Sequence, residues 1–231
     1  MNIAYKLFHL SRDHERNKLV ENVHSNLLKS IKILDTDTIK ISSYDEYMTF
    51  KEQYPDFNID PNGYNLDNKQ GWRYGEVGIW ASNWLAWKNF IEFDYDYLIL
   101  MEDDIVLYDN FLDNIKKYIT ELPEQFDAFH AFYPESEGHK YNTGLDISEN
   151  ICSSYQDWSC ACYIINKSGA KKMIELASKG IYLPLDWFMF RQKHALNIYT
   201  VKPTINEICT IVNVQSTFQT KEDRKILNGI L

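Results

Sequence analysis

The sequence predicts an α/β domain with a mainly parallel central sheet flanked by helices, and three observations lead there. Strand-like and helix-like segments alternate from residue 1 to about residue 180, the pattern of strands linked by helical connections. The run from Tyr97 to Met101 is continuously apolar or aromatic, which marks a strand covered on both faces, as in a parallel sheet between helices. Leu19, Val23, Leu27 and Ile31 recur every four residues, which lines one face of a helix.

The elements follow in order. Ile3 to Leu10 reads as the first strand, Ser11 to Arg16 as a polar turn, and the Leu19 to Ile31 segment as the helix after it. Thr38 to Tyr44, TIKISSY, has the composition of a second strand. From Gln53 to Gly75 all periodicity is lost, with two prolines, three glycines and repeated Asn and Asp. A loop of that length is either a functional lid or disordered. Its aromatic residues, Tyr54, Phe57, Tyr64, Trp72 and Tyr74, make residues 53–75 a lid packed on the substrate side.

Trp80, Trp84, Trp87 and Ile91 then give a helix with an aromatic buried face, leading into the Tyr97 strand. Phe111, Ile115, Tyr118 and Leu122 mark a further helix closed by Pro123. FDAFHAFY is a central strand, Pro134 to Ser154 an irregular connection, and CACYIIN another strand. The helix after it takes Ser168 as its N-cap and Gly180 as its stop. Beyond Pro203 come an apolar strand-like run and a polar tail. No repeat or low-complexity tract divides the chain, so residues 1–231 read as a single domain.

Composition excludes several classes. Lys and Arg total 24 against 33 Asp and Glu, a net charge of -9, which repels nucleic acid where no basic patch overrides it. Lys116-Lys117 and Lys171-Lys172 are isolated pairs on solvated helix faces. Four cysteines, Cys152, Cys160, Cys162 and Cys209, make no disulfide framework in a chain of 231 residues. That usage suits a reducing compartment and a cytoplasmic protein, and the thiols read as small core residues rather than zinc ligands. No run reaches the roughly 20 apolar residues that span a bilayer, so membrane contact would be peripheral. The six histidines build no ligand cluster, and His130, on the FDAFHAFY strand, reads as a core residue outside the catalytic set.

The chemistry concentrates at Glu102, Asp103 and Asp104, which follow LILM directly. On an extended strand Glu102 and Asp104 share one side and Asp103 takes the other. Two like charges ~4 Å apart repel by roughly 4 kcal/mol at an effective dielectric near 20. Protonation, a cationic partner or a divalent cation with oxygen ligands offsets such a cost. No Lys or Arg lies between Tyr95 and Ile115, which favours a metal and leaves a partner from elsewhere in the fold open. Ligands of open α/β sheets bind beyond the carboxyl ends of the strands, where these acids stand.

Gly75, Glu76, Gly78, Ser82 and Trp87, followed by Glu102-Asp103-Asp104, resemble the core signature of glycosyltransferase family 25, the lipopolysaccharide and collagen-type sugar transferases. Asn83 stands where the family pattern has His after Ser, an amide that hydrogen-bonds without titrating. FHLSRDHER, with Arg12 and Arg16, CYIINKSGAKKMIE, and YLPLDWFMF, with its Pro-x-Asp, extend the resemblance over most of the chain. It implies a GT-A-type nucleotide-binding fold and an inverting hexosyltransferase that moves a sugar from a nucleoside diphosphate sugar, a UDP-sugar favoured, to an acceptor hydroxyl. Mn2+ or Mg2+ would sit on Asp104 and Glu102, with Asp103 toward the metal's waters or the ribose.

The resemblance further implies nucleotide-side contacts from Arg12, Arg16, Ser82 and Asn83, and Asp186 as general base toward a glycan, glycolipid or other hydroxyl acceptor. From residue type alone Asp186 is equally a helix N-cap, and Arg12 and Arg16 equally the charges of a solvated turn. Two competing functions remain: a catalytically inactive sugar-nucleotide-binding module, and another metal-dependent phosphate enzyme. HLSRDHER lacks the glycines that a nucleotidyltransferase phosphate loop needs after its first strand.

Overall fold

The computed structural model describes residues 1–10, 16–63, 71–132, 144–153, 159–202 and 208–211. Strand β1 (Ile3–Phe8), helix α1 (Asn17–Leu27) and the short strand β2 (Lys32–Ile33) come first, followed by helices α2 (Tyr44–Gln53) and α3 (Tyr74–Glu92). Next are β3 (Tyr97–Glu102), β4 (Ile105–Leu107), α4 (Phe111–Glu121), β5 (Ala128–His130), β6 (Ile151–Ser153) and β7 (Cys162–Asn166). Helices α5 (Lys167–Ser178) and α6 (Leu185–Arg191) precede strands β8 (Ile198–Val201) and β9 (Cys209–Ile211).

Seven strands form one sheet in the order β2-β1-β3-β7-β5-β8-β6, and β4 pairs with β9 in a separate ribbon. The α/β class holds, but the sheet is mixed rather than mainly parallel. Pairs β1–β2, β1–β3 and β5–β8 are parallel, whereas β3–β7, β5–β7 and β6–β8 are antiparallel. The physical reason is that an unbroken apolar run reports burial of both faces and says nothing about the direction of the neighbours. In β3, Leu98 and Leu100 join the cluster of Trp80, Trp84, Trp87, Met173 and Phe188 under α3, α5 and α6. Ile99 and Met101 join Val23, Phe111, Ile115 and Tyr118 under α1 and α4. Successive side chains serve opposite layers, as pleating requires.

The second predicted strand is absent: residues 34–42 carry no strand, and a helix starts at Tyr44. Ser43 caps α2 by accepting from the Glu46 N–H at 3.2 Å, while Glu46 accepts from the Ser42 N–H at 2.6 Å. The Ser43-x-x-Glu46 spacing is a helix-start signature, and it outweighs the β propensity of Thr38 to Ile41. Capping at α5 also differs by two residues. Asn166 accepts from the Gly169 N–H at 2.8 Å, whereas Ser168 donates to Asp127 at 3.0 Å. Gly169 is required there because a Cβ would stand 2.2 Å from the Asp127 carbonyl oxygen. Gly180, with φ +130, ends the same helix as expected.

Of the predicted lid, the described flanks are packed into the domain. Phe57, Ile59 and Trp72 are buried, Ile59 bridges to Ile181, and the Trp72 indole donates to the Asp60 carbonyl at 2.9 Å. Residues 64–70, the centre of that loop, lie outside the described residues. Among the described residues no helix is long and apolar enough to cross a membrane.

Candidate functional site

Three chain segments meet at the carboxyl end of β3. Parallel pairing sets Phe8 opposite Glu102, so His9 follows beside the acidic triplet. Antiparallel pairing brings the start of β7 to the same place, with the Glu102 N–H donating to the Ala161 carbonyl at 2.9 Å. Helix α6 supplies Asp186 in its first turn.

Strand β3 ends at Glu102, and Asp103 and Asp104 form the turn into β4, so alternation does not extend across the triplet as the sequence suggested. Asp103 turns toward β1 and α1. Its carboxylate accepts from the Arg16 guanidinium through Oδ1 and pairs with the His9 ring at 2.8 Å through Oδ2. The other His9 nitrogen lies 2.8 Å from Asn17 Oδ1. Arg16 Nη2 stands 3.6 Å from Asp104 Oδ2, with the Arg16 side chain 5% exposed. The cation facing two of the three acids is therefore an arginine from a distant segment, which the local sequence could not exhibit.

Glu102 is the carboxyl on which the neighbouring acids bear most. Burial pushes the Glu102 pKa up to about 8, with added repulsion from Asp104, then Asp186, then Asp103, against relief from Arg16. Glu102 keeps some exposed surface, but its carboxyl is enclosed by protein. Asp104 is also raised, first by burial and then by Asp103, with Arg16 opposing. Asp104 Oδ1 is buried without a hydrogen-bond partner among the described residues. Asp186 is raised by burial, against the backbone N–H groups of Ser159 and Trp187.

Asp186 is held rigidly. Its Oδ2 accepts from the Ser159 N–H at 3.0 Å and its Oδ1 from the Trp187 N–H at 2.8 Å. Ser159 has φ 75, the left-handed region that a residue bearing a Cβ adopts only when its surroundings impose it. Just upstream of α6, the Leu183 carbonyl accepts from the Trp80 indole at 2.9 Å, and Trp80 meets Phe188 edge-on at 5.0 Å. Helix α3 thus fixes the helix that carries Asp186.

Arg12 lies outside the described residues. Ser82 and Asn83 are both buried, and neither joins the carboxyl group. Ser82 Oγ accepts from the Ile39 N–H at 2.8 Å and donates to the Gly78 carbonyl at 2.8 Å. Asn83 accepts from the Tyr163 hydroxyl at 2.6 Å and donates to the Ile79 carbonyl at 2.9 Å, and Tyr163 accepts from the Trp87 indole at 3.0 Å. Glu76 accepts from the Arg73 N–H at 3.0 Å at the start of α3. The Gly75 to Trp87 signature, read from the structure, is a scaffold: it starts α3, docks it on residues 39–41 and ties it to β7.

Sequence reasoning missed His9, Ser159 and Cys160. Cys160 is a buried thiol whose pKa is raised well up by burial, then by Asp186 and Glu102. The signal for His9 was present, since it directly follows the strand that would pair with β3 in a parallel sheet. Nothing local marks Ser159.

A hard divalent cation fits this donor set through the unpartnered, buried Asp104 Oδ1 and the crowded Glu102 carboxyl. Among the described residues no three His, Cys, Asp or Glu side chains suffice to hold a metal by themselves. The remaining ligands would come from phosphate oxygens and water, the usual arrangement for Mg2+ at phosphate sites.

Fold and site together define an α/β domain with a carboxylate-rich site where a central strand ends. The chain belongs to glycosyltransferase family 25, described as LPS biosynthesis protein, whose sequence model matches residues 6–189. It is 29% identical over 147 residues to the procollagen lysyl hydroxylase and glycosyltransferase of Acanthamoeba polyphaga mimivirus. That match covers 60% of this chain but 16% of the viral protein, so the chain spans a small fraction of that relative's length.

Among solved structures, a mutant Drosophila β1,4-galactosyltransferase 7 in complex with manganese, UDP-Gal and xylobiose aligns with TM-score 0.45 and 15% identity, covering 97% of this chain and 80% of that one. S. aureus TarS in complex with UDP-GlcNAc aligns with TM-score 0.48 and 13% identity, covering 94% and 60%.

Proposed function

We propose that the chain is a metal-dependent glycosyltransferase domain of the GT-A type, moving a sugar from a nucleoside diphosphate sugar to an acceptor hydroxyl with inversion. The observation that carries this reading is the buried Asp104 Oδ1, unpartnered among the described residues, together with a buried Glu102 carboxyl that Asp104 and Asp186 repel. Family membership supports a sugar nucleotide as the ligand of such a site. UDP is the favoured nucleotide.

In this reading Asp104 and Glu102 would hold the cation, while Arg16 and His9 engage Asp103. Held there, a divalent cation would stabilise the charge that develops on the departing nucleoside diphosphate. Asp186 takes the proton of the acceptor hydroxyl as that oxygen attacks the anomeric carbon from the face opposite the leaving group. A carboxylate with a raised pKa is the stronger base, and two backbone N–H groups fix its direction. The acceptor is a glycan, glycolipid or other hydroxyl compound. Four free, buried thiols support a reducing, cytoplasmic setting.

The test is a screen of nucleotide sugars for release of nucleoside diphosphate with and without Mn2+, paired with melting curves. A UDP-sugar should be turned over only with metal, and Mn2+ with UDP should raise the melting temperature of the wild type but not of Asp104→Asn. A flat melting curve with every common nucleotide, and no release, overturns the reading. A thermal shift without release leaves a sugar-nucleotide-binding module instead.

A further inference from the structure

Asp103 offers its two carboxylate oxygens to two different donors. The Arg16 guanidinium donates to Oδ1 through Nη1, and the His9 ring donates to Oδ2 through Nδ1 at 2.8 Å. The second arm of the same guanidinium, Nη2, stands 3.6 Å from Asp104 Oδ2. An arginine beside a single carboxylate is best matched when both arms of its planar fork meet both oxygens. Here that arrangement is closed to Arg16, because His9 already occupies Oδ2.

His9 is itself held at several points. Its backbone N–H donates to Thr38 Oγ1 at 3.3 Å, the residue before it pairs with Glu102, and its Nε2 lies 2.8 Å from Asn17 Oδ1. Asn17 opens α1 and directly follows Arg16. The contacts therefore close a ring, from His9 to Asp103, to Arg16, along the chain to Asn17, and back to His9. All three ionic members are largely buried, so water competes little for these bonds. Arg16 bears in turn on Asp104 and Glu102, where it opposes the rise in pKa that burial causes.

We propose that His9 is a positioning residue that occupies Asp103 Oδ2, thereby directs the second arm of Arg16 to Asp104, and so moderates the hold of Asp104 on a divalent cation. A guanidinium shared with Asp104 offsets part of the charge that attracts the cation. A site moderated in this way releases cation and nucleoside diphosphate more readily, and release is the slow step of many enzymes. His9 touches no substrate, and its bearing on turnover rests on the reading of Asp104 as a ligand of the cation.

His9→Phe tests this, since it keeps a ring of similar size and vacates Oδ2. In a metal-free crystal structure of the variant, both arms of Arg16 should pair with Asp103, and Nη2 should stand farther from Asp104 than the roughly 4 Å of an ion pair. Titration with Mn2+, followed by the EPR signal of the free ion, should show half-saturation at about tenfold lower concentration than in the wild type. With a UDP-sugar donor, kcat and KM should fall together. A merely structural role for His9 predicts the opposite sign, because a disturbed site binds metal and donor less well.

His9→Leu makes the same test if the Phe variant fails to fold. His9→Asn keeps an N–H near the place of Nδ1, and it should return Arg16 and the Mn2+ half-saturation toward the wild type. An Arg16 that keeps its place in the metal-free Phe or Leu variant, a half-saturation that stays or rises, or an Asn variant that behaves like the Phe variant overturns the proposal. A wild type that binds no Mn2+ and turns over no donor defeats the metal-dependent reading, while the metal-free structures still decide whether His9 directs Arg16.

Discussion

Arg16, just ahead of α1, hydrogen-bonds Asp103 and lies 3.6 Å from Asp104, so the acidic turn is balanced by a cation 87 residues away in sequence. Arg16 and Asp103 are both largely buried, at 5% and 11% side-chain exposure. Removing one partner of a buried pair leaves the other charge uncompensated, which costs roughly 3–5 kcal/mol. Arg16→Gln should therefore lower urea-unfolding stability by about that amount. Arg16→Lys should recover only part, because an ammonium group cannot fork across two carboxylates.

Glu102 makes stability depend on pH in an unusual direction. Its folded pKa is raised to about 8, above the value of an unfolded glutamate. Between roughly pH 4.5 and 8 the folded state binds more protons than the unfolded one, so stability falls as pH rises through that window. Asp104 and Asp186 are raised as well and act in the same direction. Thermal melts of the metal-free protein should show lower stability at pH 8 than at pH 5, with a flatter profile for Glu102→Gln. Added Mn2+ should stabilise more at pH 8, where protons no longer compete for the carboxyls.

Ser82 separates a scaffold role from a ligand role. Its hydroxyl joins Ile39 to Gly78, and a Cβ on Gly78 would stand 2.9 Å from the Ile39 carbonyl oxygen. Ser82→Ala should cost about 1–3 kcal/mol, the price of a buried N–H left without its acceptor. The thermal shift produced by Mn2+ with UDP should keep its wild-type size. A shift that vanishes in Ser82→Ala, with stability intact, would instead place this hydroxyl on the nucleotide.

Asp186→Asn should retain the nucleotide-dependent thermal shift and lose transfer by a factor on the order of 10^2 to 10^4, the usual worth of a positioned base. Initial rates at saturating donor check this. Loss of the thermal shift together with the rate would place Asp186 in donor binding rather than in proton transfer.

The β3 strand, the aromatic face of α3 and the location of the acids at a strand end were legible because each depends on local pattern: an apolar run, a spacing of three and four, a break in hydrophobicity. Direction in the sheet was not legible, since the burial of Tyr97 to Met101 is the same whether β7 runs with β3 or against it. The partner of Asp103 was hidden for a related reason. Arg16 and His9 reach it only through the parallel register of β1 and β3. Ser82 and Asn83 carried polar atoms of the right type for a ligand, and only packing reveals that those atoms already bond Ile39, Gly78, Tyr163 and Ile79. The start of α2 was legible in Ser43 and Glu46 and was overridden by the β-branched residues before it.

The register of β1 against β3 also bears on how the chain folds. The links from Arg16 and His9 to Asp103 close loops of 87 and 94 residues, and such distant contacts form late and slowly. Before they form, Glu102, Asp103 and Asp104 are neighbouring acids on a solvated chain, with neither their arginine nor their rigid strand. In the proposed metal-dependent reading, affinity for a cation would then belong to the finished sheet alone, so a metal ion added during refolding would draw the equilibrium toward the native state without guiding its earliest steps.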